Sequence, residues 1–247
     1  MLRFFRNIRQ KLTQQGNMRK YIWYALGEIA LVMIGILLAL QVNNWNEKRI
    51  VEAEINAIVQ NLNSEFRENL GQLNLQIQGV DSVIAGLEKI LELTYMEDQD
   101  IGQSNFDKIL ESTLSAPSWL QSSMVLEELK YSGGLSRLND ETLKRLLFDW
   151  ERHYLTQQDF LESYNLYALS YIEHLSTRGS VRTLDAMSGN FPGLKPSIIA
   201  ENSLSMLKDP VFENRVDNFY ALASIIREDF GESADKLKAI IEHTEDY

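Results

Sequence analysis

From Ile22 to Val42 the chain reads IWYALGEIALVMIGILLALQV, apolar almost throughout. The strictly apolar run Ile29–Leu40 has 12 residues, about 18 Å of helix. That is short of a bilayer core of about 30 Å. Extended to Ile22–Val42 it has 21 residues and reaches about 32 Å, at the cost of including Glu28. Trp23 and Tyr24 mark one end and Trp45 the other, as interfacial aromatics do. The pattern predicts one spanning helix over residues 22–45. Gln41–Asn46 contains neither glycine nor proline, so the helix is expected to continue outward unbroken.

Beyond it, apolar residues recur at Ile55, Val59, Leu62, Phe66, Leu70, Leu73, Ile77, Val80, Ile84, Leu87 and Leu91. These three- and four-residue steps predict a long helical seam, a near-heptad with one four-residue insertion. Gly71, Gly79 and Gly86 weaken the helix intrinsically, so it needs packing, either within the chain or as a coiled coil between subunits. Residues 94–105 read as a connection. Ser104 or Asn105 would cap a helix over Phe106–Thr113, and Ser118 one over Trp119–Tyr131, stopped by Ser132-Gly133-Gly134. Asn139 or Asp140 starts a second long helix, Glu141 to about Thr177. Residues 178–196, with three glycines and two prolines, read as the longest loop, followed by a short helical piece from Ser197. Asp209-Pro210 is a strong start for a last helix from Val211 toward Glu242, interrupted near Gly231. No alternating strand pattern appears. The expected fold is all-α: an N-terminal transmembrane helix continuing into a long helix, packed in an antiparallel bundle with short helices in the connections. The domains expected are a leader (1–21), an anchor (22–45) and a helical domain (46–247).

Charge adds topology. The chain of 247 residues carries a net charge of -11. Residues 1–21 hold Arg3, Arg6, Arg9, Lys11, Arg19 and Lys20 and no acid, so the remainder is -17. Most of the molecule would repel nucleic acid, whereas a basic leader before an apolar helix suits an anionic membrane surface. The positive-inside rule puts the leader in the cytoplasm and the rest outside. Gln-Val-Asn-Asn-Trp-Asn after the apolar run offers no small-x-small cleavage site, so an uncleaved anchor is expected. The chain has no cysteine, which removes thiolate chemistry and cysteine metal sites.

Within the anchor, Glu28 is costly unless neutral, near the headgroups or facing another helix. Glu28, Gly35, Ala39 and Val42 share a face, and the small pair at 35 and 39 permits close helix approach.

Candidate chemistry is sparse. No HExxH, phosphate loop or nucleophile elbow is present. His153 with Asp149 one turn earlier lacks further ligands, His174 lies near a helix end, and His243 is expected in a frayed tail. No catalytic, cofactor or metal residue is assigned, and no enzyme activity is expected. Trp150, Tyr154, Tyr164, Tyr167 and Tyr171 crowd one helix, which suits a ligand or partner surface and equally a helical core.

The segment Tyr24-Ala25-Leu26-Gly27-Glu28-Ile29, with Val32, Ile34-Gly35-Ile36-Leu37 and Ala39-Leu40-Gln41-Val42-Asn43-Asn44-Trp45-Asn46-Glu47, resembles a family of unknown function. Its members are short membrane-anchored proteins from Bacteroidota. Leu126–Leu146, with its Ser132-Gly133 stop and Asn139-Asp140-Glu141, resembles that family's second stretch. The resemblance implies a bacterial inner-membrane protein and supplies no activity or cofactor. It directs attention to Glu28, Gly35, Gln41, Asn43, Asn44 and Trp45, the asparagines as interfacial hydrogen-bonding groups and Trp45 as a depth anchor.

The expected function is that of a single-pass anchor carrying a periplasmic helical interaction or scaffold domain. Its expected partners are the bilayer and another membrane protein or a second copy of itself. The alternative is a periplasmic ligand-binding or sensory module signalling through a separate partner.

Overall fold

The computed structural model describes residues 18–96, 102–115 and 117–247. Residues 1–17 of the expected leader and residues 97–101 of the expected connection lie outside them. Among the described residues the protein is all-α, with no strand. The helices are α1 (Met18–Thr94), α2 (Gln103–Ser112), α3 (Met124–Tyr131), α4 (Gly134–Arg137), α5 (Glu141–Arg178), α6 (Val181–Ser188) and α7 (Pro210–His243), with a 3-10 turn at Leu204–Lys208. The chain divides into two compact units, Met1–Asn56 and Ala57–Tyr247.

The described part of unit 1 is helix. Its polar stretch is organised along its own surface: Asn43 donates to Glu47 at 2.7 Å, Arg49 donates to Asn46 at 3.3 Å, and the Arg49 guanidinium lies 5.7 Å from the Trp45 ring centre.

Unit 2 is an antiparallel bundle of four strips, three of them long helices. The C-terminal half of α1 rises through it. The chain then descends along α1 as α2, an extended piece and α3: Ser115 lies at Gly79, Ser118 at Gln76, Ser122 at Asn69 and Val125 at Glu65. α5 rises, and α7 descends against both α1 and α5. Asp81 pairs with Arg227 near mid-bundle, and Arg67 with Glu245 near the Ala57 end. Pairs of aromatic rings, Tyr164 with Phe219 and Tyr171 with Phe212, join α5 to α7.

The α1 seam differs from the expected one in an instructive way. The inward positions are Val59, Leu62, Phe66, Asn69, Leu73, Gln76, Val80, Val83, Leu87 and Ile90; all are buried except Gln76, which is half-buried. The steps alternate three and four throughout, so the heptad has no insertion. Leu70 and Ile77, read as seam residues, are half-buried neighbours of the polar Asn69 and Gln76. The seam packs on this chain's own elements. Gly79 and Gly86, seven apart, are where α1 meets the descending strip. A Cβ on Gly86 would lie 2.5 Å from Ser112 Oγ and 2.7 Å from the Thr113 methyl.

Other boundaries move for local reasons. α2 starts at Gln103, with Gly102 at its N-cap and no side-chain cap bond. Trp119 lies in an extended stretch, and α3 starts only at Met124, because the Ser118 and Ser122 backbones bond to α1 side chains and the Gln121 N–H to Tyr154 of α5. Gly133 takes a left-handed φ of 70° and closes α3, and α4 follows at once. Asp140 caps α5 through the Leu143 N–H, and Asp209 caps α7 through the Val211 N–H, as expected. The expected loop 178–196 contains α6, capped by Ser180 and ended by left-handed Gly189. The short piece after Ser197 is the turn at Leu204–Lys208. α7 passes Gly231 unbroken. His243 is not frayed: its Nε2 lies 2.7 Å from Asp140 Oδ2, which the Tyr247 hydroxyl also reaches at 2.6 Å.

A second node holds the other end. The buried Asn202 side chain accepts from the Ser180 N–H at 2.7 Å and donates to Asp107 at 3.0 Å. Its amide oxygen fills the space a Cβ on Gly179 would need.

Candidate functional site

In unit 1, none of the large apolar side chains from Ile29 to Leu40 is covered. Leu31 is 68% exposed and Leu40 53%. α1 is long and apolar enough to cross a membrane, and its apolar window is unburied. Gly35, Ala39, Gln41, Asn43, Asn44 and Trp45 are exposed on it, and Glu28 is half-buried. A Cβ on Gly35 would meet nothing within 4 Å.

The five aromatic candidates of α5 do not share one surface. Trp150, Tyr164 and Tyr171 are fully buried, Tyr154 is half-buried and Tyr167 is exposed. Burial pushes the Tyr164 and Tyr171 phenols well above their ordinary range, with a Thr113 hydrogen bond opposing it at Tyr171. Trp150, Tyr154, Trp119, Phe66 and Phe230 form one aromatic cluster with ring separations of 5.6–6.4 Å, edge-on except for the tilted Trp150–Tyr154 pair.

That cluster backs a grip on the descending chain that the periodicity of α1 did not announce. Asn69, fully buried, donates to the Ser122 carbonyl and accepts from its N–H, both at 2.8 Å. Gln76 accepts from the Ser118 N–H at 3.0 Å. Glu65 accepts from the Val125 N–H at 2.6 Å. Ser123, at the N-cap of α3, makes no side-chain cap bond, so Glu65 caps that helix from outside. From the other side, the Gln121 side chain accepts from the Trp150 indole at 2.8 Å, and its N–H donates to the Tyr154 hydroxyl at 3.3 Å. The segment is therefore held through its backbone, the Gln121 side chain and the buried Trp119 ring.

Between α5 and α7 lies a buried polar layer. The Gln157 amide donates to Asp229 at 2.7 Å and to the Ser233 hydroxyl at 2.6 Å, and Ser233 lies 2.9 Å from His153 Nε2. His153 Nδ1 faces Glu232 at 3.7 Å. Asp149, the expected partner of His153, pairs with Arg152 instead. Burial pushes the Asp229 carboxyl up, with Gln157 and His153 opposing and Glu232 adding to it. A serine beside a histidine and carboxylates has the parts of a nucleophile. Ser233, however, is fully buried in mid-helix, where its backbone N–H is spent on the helix and offers no oxyanion donor. The layer ties α5 to α7 through side-chain hydrogen bonds. His174 is also buried, and burial pushes it below its ordinary range, Asp209 opposing and Arg215 and Arg178 adding. Among the described residues, no three histidine, aspartate or glutamate side chains are placed to hold a metal ion.

Unit 2 also has open features. Phe148, Leu155, Leu166 and Leu169 are all more than half exposed and fall within about 60° of arc on α5. A cleft of 430 Å³ lies between α1 and α7, lined by Arg67, Leu70, Gly71, Asn74, Lys238, Ile241, Glu242 and Glu245.

The chain belongs to the family described as a family of unknown function, DUF6090, whose match spans residues 28–155. The match takes in the apolar part of α1 from Glu28 on, the whole backbone grip, and α5 as far as Leu155. No curated protein and no solved structure matches the chain.

Proposed function

We propose that this protein is a membrane-anchored interaction or scaffold module that works without catalysis. Residues 22–45 cross a bacterial inner membrane once, the leader is cytoplasmic, and the helical domain is periplasmic. The observation that carries the reading is the bare apolar length of α1, where side chains such as Leu31 and Leu37 have no protein cover. Exposed apolar area of that extent marks a lipid or partner contact. Support for topology comes from the six basic residues of 1–21 and their resemblance, with the Tyr24–Glu47 motif, to a Bacteroidota anchor. Partner contact within the membrane is assigned to the face of Glu28, Gly35 and Ala39, and outside it to the open α5 stripe.

The test is cross-linking of the full-length protein in native membranes, gentle extraction and mass spectrometry of what accompanies it. A reproducible partner or homo-oligomer, lost in Glu28→Gln/Gly35→Leu or in Leu155→Asp/Leu166→Asp, is expected. A chain released from membranes by alkaline carbonate overturns the anchor; an unchanged set of cross-links in both variants overturns the interaction surfaces. The 430 Å³ cleft falls in the size range of small-molecule sites, which favours ligand sensing as the second reading. Saturable heat from a metabolite panel on the full-length protein, abolished by Gly71→Trp, would favour that reading.

A further inference from the structure

The loop between α6 and the 3-10 turn presents bare isoleucines. Ile198 is 100% exposed and Ile199 93%. Their exposure is built in. The Ser197 hydroxyl accepts from the N–H groups of Ile199 and Ala200, both at 3.2 Å. The Ser197 N–H donates to Thr183, and the Arg182 guanidinium donates to the Lys195 carbonyl at 3.0 Å. These bonds pin the loop to α6 on both sides of Pro196 and leave the two isoleucines at its crest. Phe191, in the same loop, is also more than half exposed.

The surroundings are basic in an acidic protein. Residues 178–201 hold Arg178, Arg182 and Lys195 against Asp185 and Glu201, a net +1, while the whole chain is -11. The loop also lies at the end of unit 2 remote from Ala57. The α1–α7 pairs run from Gln60 with Tyr247 up to Glu88 with Tyr220, and the loop joins α6 to the chain entering α7 above them. Ala57 to Thr94 is about 56 Å of helix.

We propose that the Phe191–Ile199 loop is a contact for an anionic lipid surface, its isoleucines entering the acyl boundary and Lys195, with Arg182 of α6 beside it, meeting the headgroups. A convex tip whose side chains are open on all sides has no walls to complement a folded partner, whereas a fluid lipid layer closes around it. The positive charge matches anionic headgroups and is opposite in sign to the rest of the protein. The inference uses unit 2 alone; the membrane reading of α1 enters only in how the test is mounted.

Full-length protein is placed in nanodiscs of neutral lipid and mixed with protein-free vesicles of phosphatidylcholine, with or without 3 parts in 10 of phosphatidylglycerol. Flotation then separates bound discs. Discs are expected to float with anionic vesicles, less with neutral ones, and less in high salt. Ile198→Ser/Ile199→Ser should weaken binding about a hundredfold, about tenfold for each side chain withdrawn from lipid. Lys195→Glu should lower the anionic preference to what the basic leader alone supplies. Both substitutions lie at exposed positions, and unchanged circular dichroism confirms the fold. Wild-type discs that ignore anionic vesicles, a double variant that binds as well as wild type, or binding only to vesicles that retain membrane proteins would each overturn the proposal. A chain that fails to enter discs counts against the anchor instead, and flotation of the free chain then tests the loop.

Discussion

Asn69 offers the sharpest test of the backbone grip, because one atom can be changed. Asn69→Asp keeps size and shape but replaces the Nδ2 donor with oxygen. The Ser122 carbonyl, at 2.8 Å from that donor, loses its partner and faces a second acceptor in a fully buried place. An unsatisfied buried carbonyl costs about 1–3 kcal/mol. Burial beside a carbonyl oxygen also raises the introduced carboxyl's pKa in the folded state, and each unit adds about 1.4 kcal/mol at neutral pH. With a rise of about two units the total is about 4 kcal/mol, or roughly 10 °C in Tm for a protein of this size. The sign of the pH dependence follows. The folded pKa lies above the unfolded value of about 3.9, so the ionisation part of the penalty is absent below about pH 4. It grows as pH rises through the folded pKa. A protonated carboxyl can also donate to Ser122. Thermal unfolding of the full-length variant and wild type in one mild detergent, at pH 7 and pH 4, should show the gap narrowing at low pH. A variant within 2 °C of wild type at pH 7, or an equal gap at both pH values, would refute the reasoning.

Gly86→Ala should destabilise by about 1–3 kcal/mol through its clash with Ser112 and Thr113. Gly71→Ala, with open space at its Cβ, should stabilise by roughly 0.5–1 kcal/mol from helix propensity; paired thermal melts check both signs. Burial alone would push the Asp140 carboxyl up, but hydrogen bonds from Tyr247, the Leu143 N–H and His243, with the His243 charge, hold it down at about 2. Its stabilisation is present above about pH 4 and lost as pH falls toward 2, so Asp140→Asn should cost about 2 kcal/mol at pH 7 and flatten urea stability across pH 4 to 2. Gly179→Ala should displace the Asn202 amide and lower Tm, and hydrogen exchange should show the Ser180 amide losing protection, since its acceptor at 2.7 Å moves.

The sequence carried the long helices plainly, because each repeats its apolar residues over many turns and two of them start at unmistakable caps, Asp140 and Asp209. The seam of α1 was legible in period but not in register. A search for apolar residues passes over Asn69 and Gln76 and settles on Leu70 and Ile77 beside them. A strict three-four spacing from Val59 would have exposed the polar pair, and a polar residue at a seam position signals a buried hydrogen-bonding partner. The late start of α3 was hidden because its cap, Glu65, is 60 residues away in the chain. α6 was masked by the glycines that follow it. The aromatic residues of α5 were legible as a group, but periodicity does not say which side of a long helix meets a neighbour and which stays open. The partners of His153 and His243 come from α7 and Asp140, beyond any local pattern.

The grip on residues 118–125 acts on amide and carbonyl groups that every residue but proline carries. Apart from Trp119, buried among rings, and Gln121, which meets the Trp150 indole, it is therefore indifferent to the text passing through it and strict about its spacing. Ser118 and Ser122 can exchange for other small residues at little cost. A single inserted or deleted residue between them would leave Asn69 and Gln76 facing the wrong groups. In this stretch the protein tolerates misspelling but not a slipped count.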